Sequence, residues 1–396
     1  MQTKSYWRAT VLAVSLVLSM LIPVVMAEAD GGKRVRSDHG HNVFTWKPRH
    51  RSDAITVMTQ NVYVGADVDA ILEVQDPNDI PLAVAVAFQE LLSTDFFERA
   101  ATIAEQIART RPHLIGLQEI SLIRVQSPGD ALSPEPTPAE EVLLDYLSIL
   151  LQALRDRHLH YQVVGKIQNA DVELPMLASP DPLAFDDVRL TDFDVVLARR
   201  DVQVSQKSVV EQNYAKKLII PGTGIKIPRG YVAVDARIKH RTYRFVNTHL
   251  EPATPGVRLK QAGELLDVLA DEKKPVIVVG DFNTPAPTGQ MPTGGQTYQA
   301  FVSAGFVDVW TRNLNKSEGE GFTFSHDSDL RNTVVDLNER IDLIFVRNRV
   351  RGQTLLGPVF AKVWGDELRE RTPSGLWPSD HAGVIARLRL PAFRRW

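Results

Sequence analysis

Apolar and polar positions along this chain follow two alternating periods. Runs of strand length, at 55–62, 113–117, 193–198, 231–238, 242–250, 275–279 and 340–346, interleave with segments whose apolar residues recur every three or four positions. The clearest helical segment is 96–109, where Phe97, Ala100, Ala101, Ala104, Ile107 and Ala108 share a face and Pro112 closes the run. The same spacing predicts helices over 140–157, 256–270 and 297–304. Lys239-His240-Arg241 between two strand-like runs predicts a hairpin. Stretches 126–138, 174–187 and 284–296 are rich in Pro, Gly and Asp and read as loops, the second longer than connections usually run. With no internal repeat, this alternation predicts a mixed α/β protein, with one domain over 53–396.

The strand-like runs end on polar groups. Asn61 closes the first, and Glu119 follows the second. His249 lies in Asn247-Thr248-His249-Leu250, and Gly280-Asp281-Phe282-Asn283 follows the wholly apolar 275–279. Asp342 stands near the start of 340–346, and Ser379-Asp380-His381 precedes Gly383-Val384-Ile385-Ala386. Each has a bland reading: Asn61 as a turn residue capping its own backbone, Glu119 as a solvated edge charge, His249 as a structural histidine. Their recurrence at strand ends favours a site, because loops at strand ends present side chains while buried strands penalise unpaired charge. A buried Asp342 needs a partner, and His381 is the natural one. Gly280 lets the backbone turn so that Asp281 and Asn283 are expected to point outwards together. A carboxylate ending an apolar strand is also where Mg²⁺ finds oxygen ligands while keeping several waters.

Composition narrows the classes. Across 396 residues the chain is 44% hydrophobic and 23% charged, with a net charge of −3, as in a soluble globular protein without a global pull towards nucleic acid or acidic membrane. Absence of cysteine excludes disulfides, thiolate metal sites and a cysteine nucleophile. No Gly-x-Ser-x-Gly elbow supports a serine hydrolase. The glycine-rich run 222–230 lacks both the third glycine of a dinucleotide fingerprint and a following Gly-Lys-Ser/Thr, so it reads as the approach to a hairpin.

At the amino end, Lys4 and Arg8 precede the apolar stretch 11–27, which ends Val25-Met26-Ala27 and is broken by Pro23. This predicts a secretory signal peptide cut after Ala27, with an uncleaved membrane anchor as the rival; either way the remainder is exported. Residues 28–52 read as a flexible arm, in which His39 and His41 lack the carboxylate or cysteine company of a metal site.

Taken in order, Gln60-Asn61, Leu117-Gln118-Glu119, Asn247-Thr248-His249-Leu250, Gly280-Asp281-Phe282-Asn283, Arg340-Ile341-Asp342 and Ser379-Asp380-His381 resemble the motif set of the endonuclease/exonuclease/phosphatase superfamily, over 55–390. The resemblance implies a DNase I-like four-layer α/β/β/α sandwich with the site at one edge. It implies metal-dependent phosphoester hydrolysis, with Mg²⁺ expected and Mn²⁺ or Ca²⁺ as substitutes. By motif match, Glu119 is the main metal ligand, with Asn61 beside it and Asp380 contributing. Asp281 orients or activates water, Asn283 holds a phosphate oxygen, His381 is the catalytic histidine and Asp342 fixes its ring. His249 stabilises phosphate oxygens or assists the leaving group. Whether His381 acts as base or as electrostatic clamp stays open at this point.

Departures shape the substrate expectation. Tyr63 stands where the abasic-site repair branch carries Asp, and His249 where that branch lacks a histidine. There is no paired-aromatic hairpin of the kind by which secreted sphingomyelinases enter membranes. Trp364 and Trp377, in the loop before Ser379, are more ordinarily packed beneath it than turned to substrate. The expectation is a monomeric phosphodiesterase without an obligate protein partner, its specificity set by loops 126–138, 174–187, 284–296 and 364–378. Nucleic acid leads, a phospholipid or sphingomyelin head group follows, and a sugar phosphate comes third. A non-catalytic binding protein on the same fold is disfavoured, because every motif position holds a competent residue.

Overall fold

The apolar runs assemble into two mixed β-sheets packed face to face. The computed structural model describes residues 54–391 apart from 221–225, 316–318 and 351; the expected leader and arm, and part of the glycine-rich run 222–230, lie outside the described residues. The main elements begin with β1 (Ala54–Asn61), α1 (Ile80–Ser93), α2 (Phe96–Thr110), β2 (Leu114–Gln118) and β3 (Leu122–Gln126). Then come β4 (Glu141–Asp145), α3 (Tyr146–Asp156), β5 (Tyr161–Pro180), β6 (Leu183–Arg199) and β7 (Gln203–Asn213). They continue with β8 (Gly230–Ile238), β9 (Arg241–His249), α4 (Pro255–Leu269), β10 (Val276–Asp281) and α5 (Gln296–Ser303). The last are β11 (Val307–Asp308), β12 (Asp342–Arg347), β13 (Val359–Trp364) and β14 (Gly383–Arg389).

One sheet runs β13-β14-β1-β2-β6-β3-β4, with β5 also paired to β6, and the other runs β11-β12-β10-β9-β8-β7. Between them lies a core that includes Val57, Leu114 and Val196 from the first sheet and Val234, Phe245, Val279 and Ile344 from the second. Outside the first sheet, Ile103 and Ile107 of α2 and Leu150 and Leu154 of α3 join Met58, Ile115 and Leu197. Outside the second, Ala262 and Leu265 of α4 and Phe301 of α5 join Val246, Val278 and Phe345. The result is the four-layer α/β/β/α arrangement that the resemblance implies. Among the described residues no single helix is long and apolar enough to cross a membrane.

Two expectations about secondary structure need correction. The helix expected over 140–157 starts only at Tyr146; Glu141–Asp145 is a strand with Ile123 opposite Leu144, and the Asp145 carboxylate caps the helix by accepting from Ser148 N–H. The supposed loop 174–187 is the far end of a long hairpin, with Leu174 opposite Val188 and Leu177 opposite Phe185. Its prolines mislead because β5 pairs with β6 alone, so missing N–H groups cost no ladder bond on its free edge. Finally, α1, β3, β7, β13 and the 161–173 part of β5 were not foreseen.

Register brings the site together. β1 and β2 are parallel with Asn61 opposite Gln118, and β9 and β10 are parallel with His249 opposite Asp281. β12 runs antiparallel to β10 with Asp342 opposite Asp281, and β14 runs antiparallel to β1 with Val384 opposite Thr59. Each sheet therefore sends the carboxyl ends of a parallel pair, and the start of an antiparallel partner, to one edge. Asn247 fastens the sheets there: its Nδ2 donates to the carbonyls of Leu117 (2.9 Å) and Val195 (3.2 Å), and its Oδ1 accepts from Gln118 Nε2 (2.6 Å). The approach is close enough that a Cβ at Gly116 would overlap the side chains of Asn247 and Val279.

Candidate active site

At the end of β1 the fully buried Asn61 uses both faces of its amide. Oδ1 accepts from Tyr63 N–H (2.9 Å), the turn role, while Nδ2 donates to Glu119 Oε1 (2.9 Å) and Asp281 Oδ2 (3.2 Å). Glu119 sits one residue past β2 with φ 58°, and its Oε2 accepts from Val64 N–H (3.0 Å). The buried Arg99 holds this turn. It donates to the carbonyls of Val62 (2.6 Å), Tyr63 (3.2 Å) and Thr94 (2.8 Å), and to Pro378 (3.2 Å) of the segment carrying His381. Ser379 Oγ donates to Asn61 O (2.8 Å), and Gln60 Nε2 donates to His381 O (3.2 Å). The end of β1 and the segment 378–381 are thus pinned together although more than 300 residues separate them.

Asp281 is the hub. Gly280 has φ 149°, and a Cβ there would run into the Thr248 backbone. Asp281 does not point outwards as expected: it is 1% exposed, enclosed by Asn61, His249 and His381. Its Oδ1 accepts from Asn283 N–H (2.9 Å), and its Oδ2 is approached by Asn61 Nδ2 (3.2 Å), His249 Nε2 (3.5 Å) and His381 Nε2 (3.8 Å). Asn283 stands one step out, at φ 49°, with one amide N–H donated to Leu250 O (2.9 Å).

His381 Nδ1 lies 2.8 Å from Asp342 Oδ2, the partnership expected from the buried strand carboxylate. Asp342 N–H is in turn held by Thr323 Oγ1 (3.1 Å). Burial works against charge on the His381 ring, yet Asp342, Asp380 and Asp281 hold its imidazolium form well above the ordinary histidine range. Burial, reinforced by the Asp342 charge, pushes Asp281 up to about 7. Burial pushes Asp380 to about 7 as well, with Glu119 adding to the shift and His381 opposing it.

His249 has the opposite environment. It is 2% exposed, and Arg229 Nη1 lies 3.0 Å from its Nδ1. Burial, the Arg229 charge and the His381 charge put its pKa well below the ordinary value. Asp192 Oδ2 lies 3.4 Å from Arg229 and accepts from Asn169 Nδ2 (3.1 Å). Arg229, Asp192 and the neighbouring buried Asp194 escaped the sequence reading. The available signal was the Asp-Phe-Asp spacing of 192–194, which puts two carboxylates on one face of an otherwise apolar strand.

Of the residues expected in the site, Asn61, Glu119, Asp281, Asp342, His249 and His381 are joined by direct contacts. Asp380 adjoins them through its neighbour His381, and Asn283 through Asp281. The donor set fits a hard divalent cation. Carboxylate oxygens dominate, and the raised proton affinities of Asp281 and Asp380 are those of carboxylates short of positive charge, which such an ion supplies. Ligand atoms of Asp281, Asp342 and His381 also lie within 4.8 Å of one another, although the last two face each other as hydrogen-bond partners. Trp377, by contrast, is fully buried, stacked on His326 at 4.0 Å, with its N–H donated to Asn332 O.

A double-sheet sandwich with carboxylates, amides and a carboxylate-held histidine converging at one edge defines a metal-dependent phosphoric-ester hydrolase. The chain belongs to the Endonuclease/Exonuclease/phosphatase family, whose sequence model matches residues 58–381. Solved structures similar to it include an endonuclease/exonuclease/phosphatase family protein from Leptotrichia buccalis (16% identity, 85% of this chain and 100% of that one, TM-score 0.48). A truncated Caenorhabditis elegans TDP2 (14%, 85% and 97%, 0.44) and a Bacteroides thetaiotaomicron mannosyl-6-phosphatase (17%, 85% and 100%, 0.45) are similar too. No curated protein matches the sequence.

Proposed function

We propose that this chain is an exported, Mg²⁺-dependent phosphodiesterase, with nucleic acid as the favoured substrate. The observation that carries the diester reading is the charge balance. Glu119, Asp281, Asp342 and Asp380 face the site against His381 and the already paired Arg229. An acidic centre of this kind tolerates the single charge of a diester better than the double charge of a monoester. Export rests on the basic-then-apolar pattern of 4–27.

Glu119 and Asn61, with Asp380, would hold the cation, which when bound neutralises phosphoryl charge. Asp281 Oδ2, with a pKa of about 7, orients the attacking water and takes its proton as the new O–P bond forms. His381, kept as imidazolium by Asp342, faces the phosphate as an electrostatic clamp, the choice that its carboxylate surroundings favour over a base. Asn283 and His249 donate to phosphate oxygens. The bond to the leaving oxygen breaks, and that oxygen is protonated from solvent.

A lipid head group is the second reading, favoured by Leu183 (66% exposed) beside the β5–β6 turn and Leu132 (64%) in the neighbouring loop. The test is hydrolysis by the chain from Glu28 of a labelled DNA duplex, a single-stranded RNA, sphingomyelin vesicles and p-nitrophenyl phosphate, each with Mg²⁺ and with EDTA. Metal-dependent cleavage of either nucleic acid is expected. Cleavage of sphingomyelin alone transfers the assignment to lipid, and cleavage of the monoester alone removes the diester reading.

A further inference from the structure

We propose that Arg229 is a positioning residue that locks His249 as its Nε2–H tautomer, making this second histidine a fixed neutral hydrogen-bond donor and not a proton relay. The inference deepens the functional reading above and rests on it only for its kinetic consequence.

Donors and acceptors around the ring decide its tautomer. A guanidinium has five N–H donors and no acceptor. With Arg229 Nη1 at 3.0 Å from His249 Nδ1, that nitrogen must offer its lone pair. In a neutral ring with Nδ1 unprotonated the hydrogen is on Nε2, which faces Asp281 Oδ2 at 3.5 Å. The Arg229 contact therefore sets the tautomer by itself. The remaining candidate for an Nδ1–H bond, Asp194 Oδ1, is 3.9 Å away, too far to accept it. His381 is the control within the same site. Its Nδ1 meets the carboxylate of Asp342 at 2.8 Å where His249 Nδ1 meets a guanidinium, so Nδ1 carries hydrogen in His381 and a lone pair in His249.

Arg229 is itself held. Its side chain is 14% exposed, and Nη1 is 3.4 Å from Asp192 Oδ2, which Asn169 Nδ2 steadies from β5 at 3.1 Å. A line of contacts therefore runs Asn169–Asp192–Arg229–His249–Asp281. It ties the β5–β6 hairpin to the oxygen proposed to receive the proton of water. Loss of the lock would let the His249 ring turn its lone pair towards Asp281, placing acceptor against acceptor beside that oxygen.

The experiment is a long-range ¹H–¹⁵N spectrum of the folded protein labelled at histidine nitrogens, at neutral pH in EDTA, with His249→Gln assigning the ring. A bare Nδ1 and a protonated Nε2 are expected in the unsubstituted protein, retained in Arg229→Lys and lost to a mixture of tautomers in Arg229→Met. A protonated Nδ1 in the unsubstituted protein, or an unchanged ring in Arg229→Met, overturns the proposal. Should Arg229→Met not fold, the spectrum of the unsubstituted protein alone decides. In turnover of bis(p-nitrophenyl) phosphate, Arg229→Met is expected to lower kcat by about 10- to 100-fold, the usual cost of losing an orienting partner, and Arg229→Lys to recover most of it. Hydrolysis of no phosphoester by any form would sink the functional reading while leaving the spectra to decide this one.

Discussion

Replacing Asp342 by Asn keeps the side chain's shape and an acceptor oxygen for His381 Nδ1, but removes the charge now 2.8 Å from that ring nitrogen. At ~4 Å between charge centres and an effective dielectric of ~20, the lost attraction is about 4 kcal/mol. At ~1.4 kcal/mol per unit this bounds the fall in the His381 pKa at about three units, and neighbouring opposite charges typically give one to three. The sign follows from the direction of the shift. Asp342 holds the charged form above its ordinary range, so its removal lets the proton leave at lower pH. If the imidazolium is the working form, the alkaline limb of the kcat/KM profile moves down by about one to three pH units. At a pH above both limbs the rate then falls by roughly 10- to 1000-fold relative to the unsubstituted protein. The assay is bis(p-nitrophenyl) phosphate hydrolysis from pH 5 to 9 at constant free Mg²⁺, with circular dichroism confirming the fold. A folded Asp342→Asn protein whose alkaline limb stays in place would refute the reasoning, since the charge could not then be what keeps His381 protonated.

Other predictions follow from the same geometry. In EDTA, Asp281 and Asp380 titrate at about 7 in the folded chain against an ordinary 3.8. Their contribution to stability is therefore full below about pH 4 and is lost as pH rises through about 7. A divalent cation favours the ionised forms, so the rise in Tm produced by Mg²⁺ should grow from pH 5 to pH 8; a constant increment counts against these carboxylates as its neighbours. Arg99→Met leaves four carbonyls without their donor and should cost at least ~3 kcal/mol in urea unfolding; a loss under ~1 kcal/mol contradicts its pinning role. Trp377→Ala should destabilise by about 3–5 kcal/mol, while Trp377→Phe should leave KM unchanged, because the ring is sealed beneath the loop. A changed KM in the Phe variant would put that ring at the substrate.

Much of the site was legible because its chemistry sits where the apolar periodicity stops. Asn61, Glu119, His249 and Asp281 each fall at or just beyond a strand's carboxyl end, and Asp342 and His381 at or just before a strand's start. Gly280 announced the tight backbone ahead of Asp281. The sense of exposure was not legible. Asp281 looked outward from its strand, but whether a strand end faces water depends on what other elements bring against it, and here Asn61, His249 and His381 surround it. Arg229 was hidden for a related reason. Its partners Asp192 and His249 lie 37 and 20 positions away, in directions that only the hairpin and sheet register define. The prolines of 174–187 misled because their effect depends on whether a strand lies at an edge, a property of the sheet and not of the segment. Glu141–Asp145 misled because its apolar residues are continuous with the helical face of Tyr146–Asp156, and only pairing with β3 makes it a strand.

The most direct test is relaxation of supercoiled plasmid by the chain from Glu28 with Mg²⁺, run beside EDTA and His381→Ala controls. Nicking that disappears both with chelation and with loss of His381 is the predicted result. Nicking that survives His381→Ala would contradict the assigned centre, and no nicking by folded protein would contradict the preference for nucleic acid.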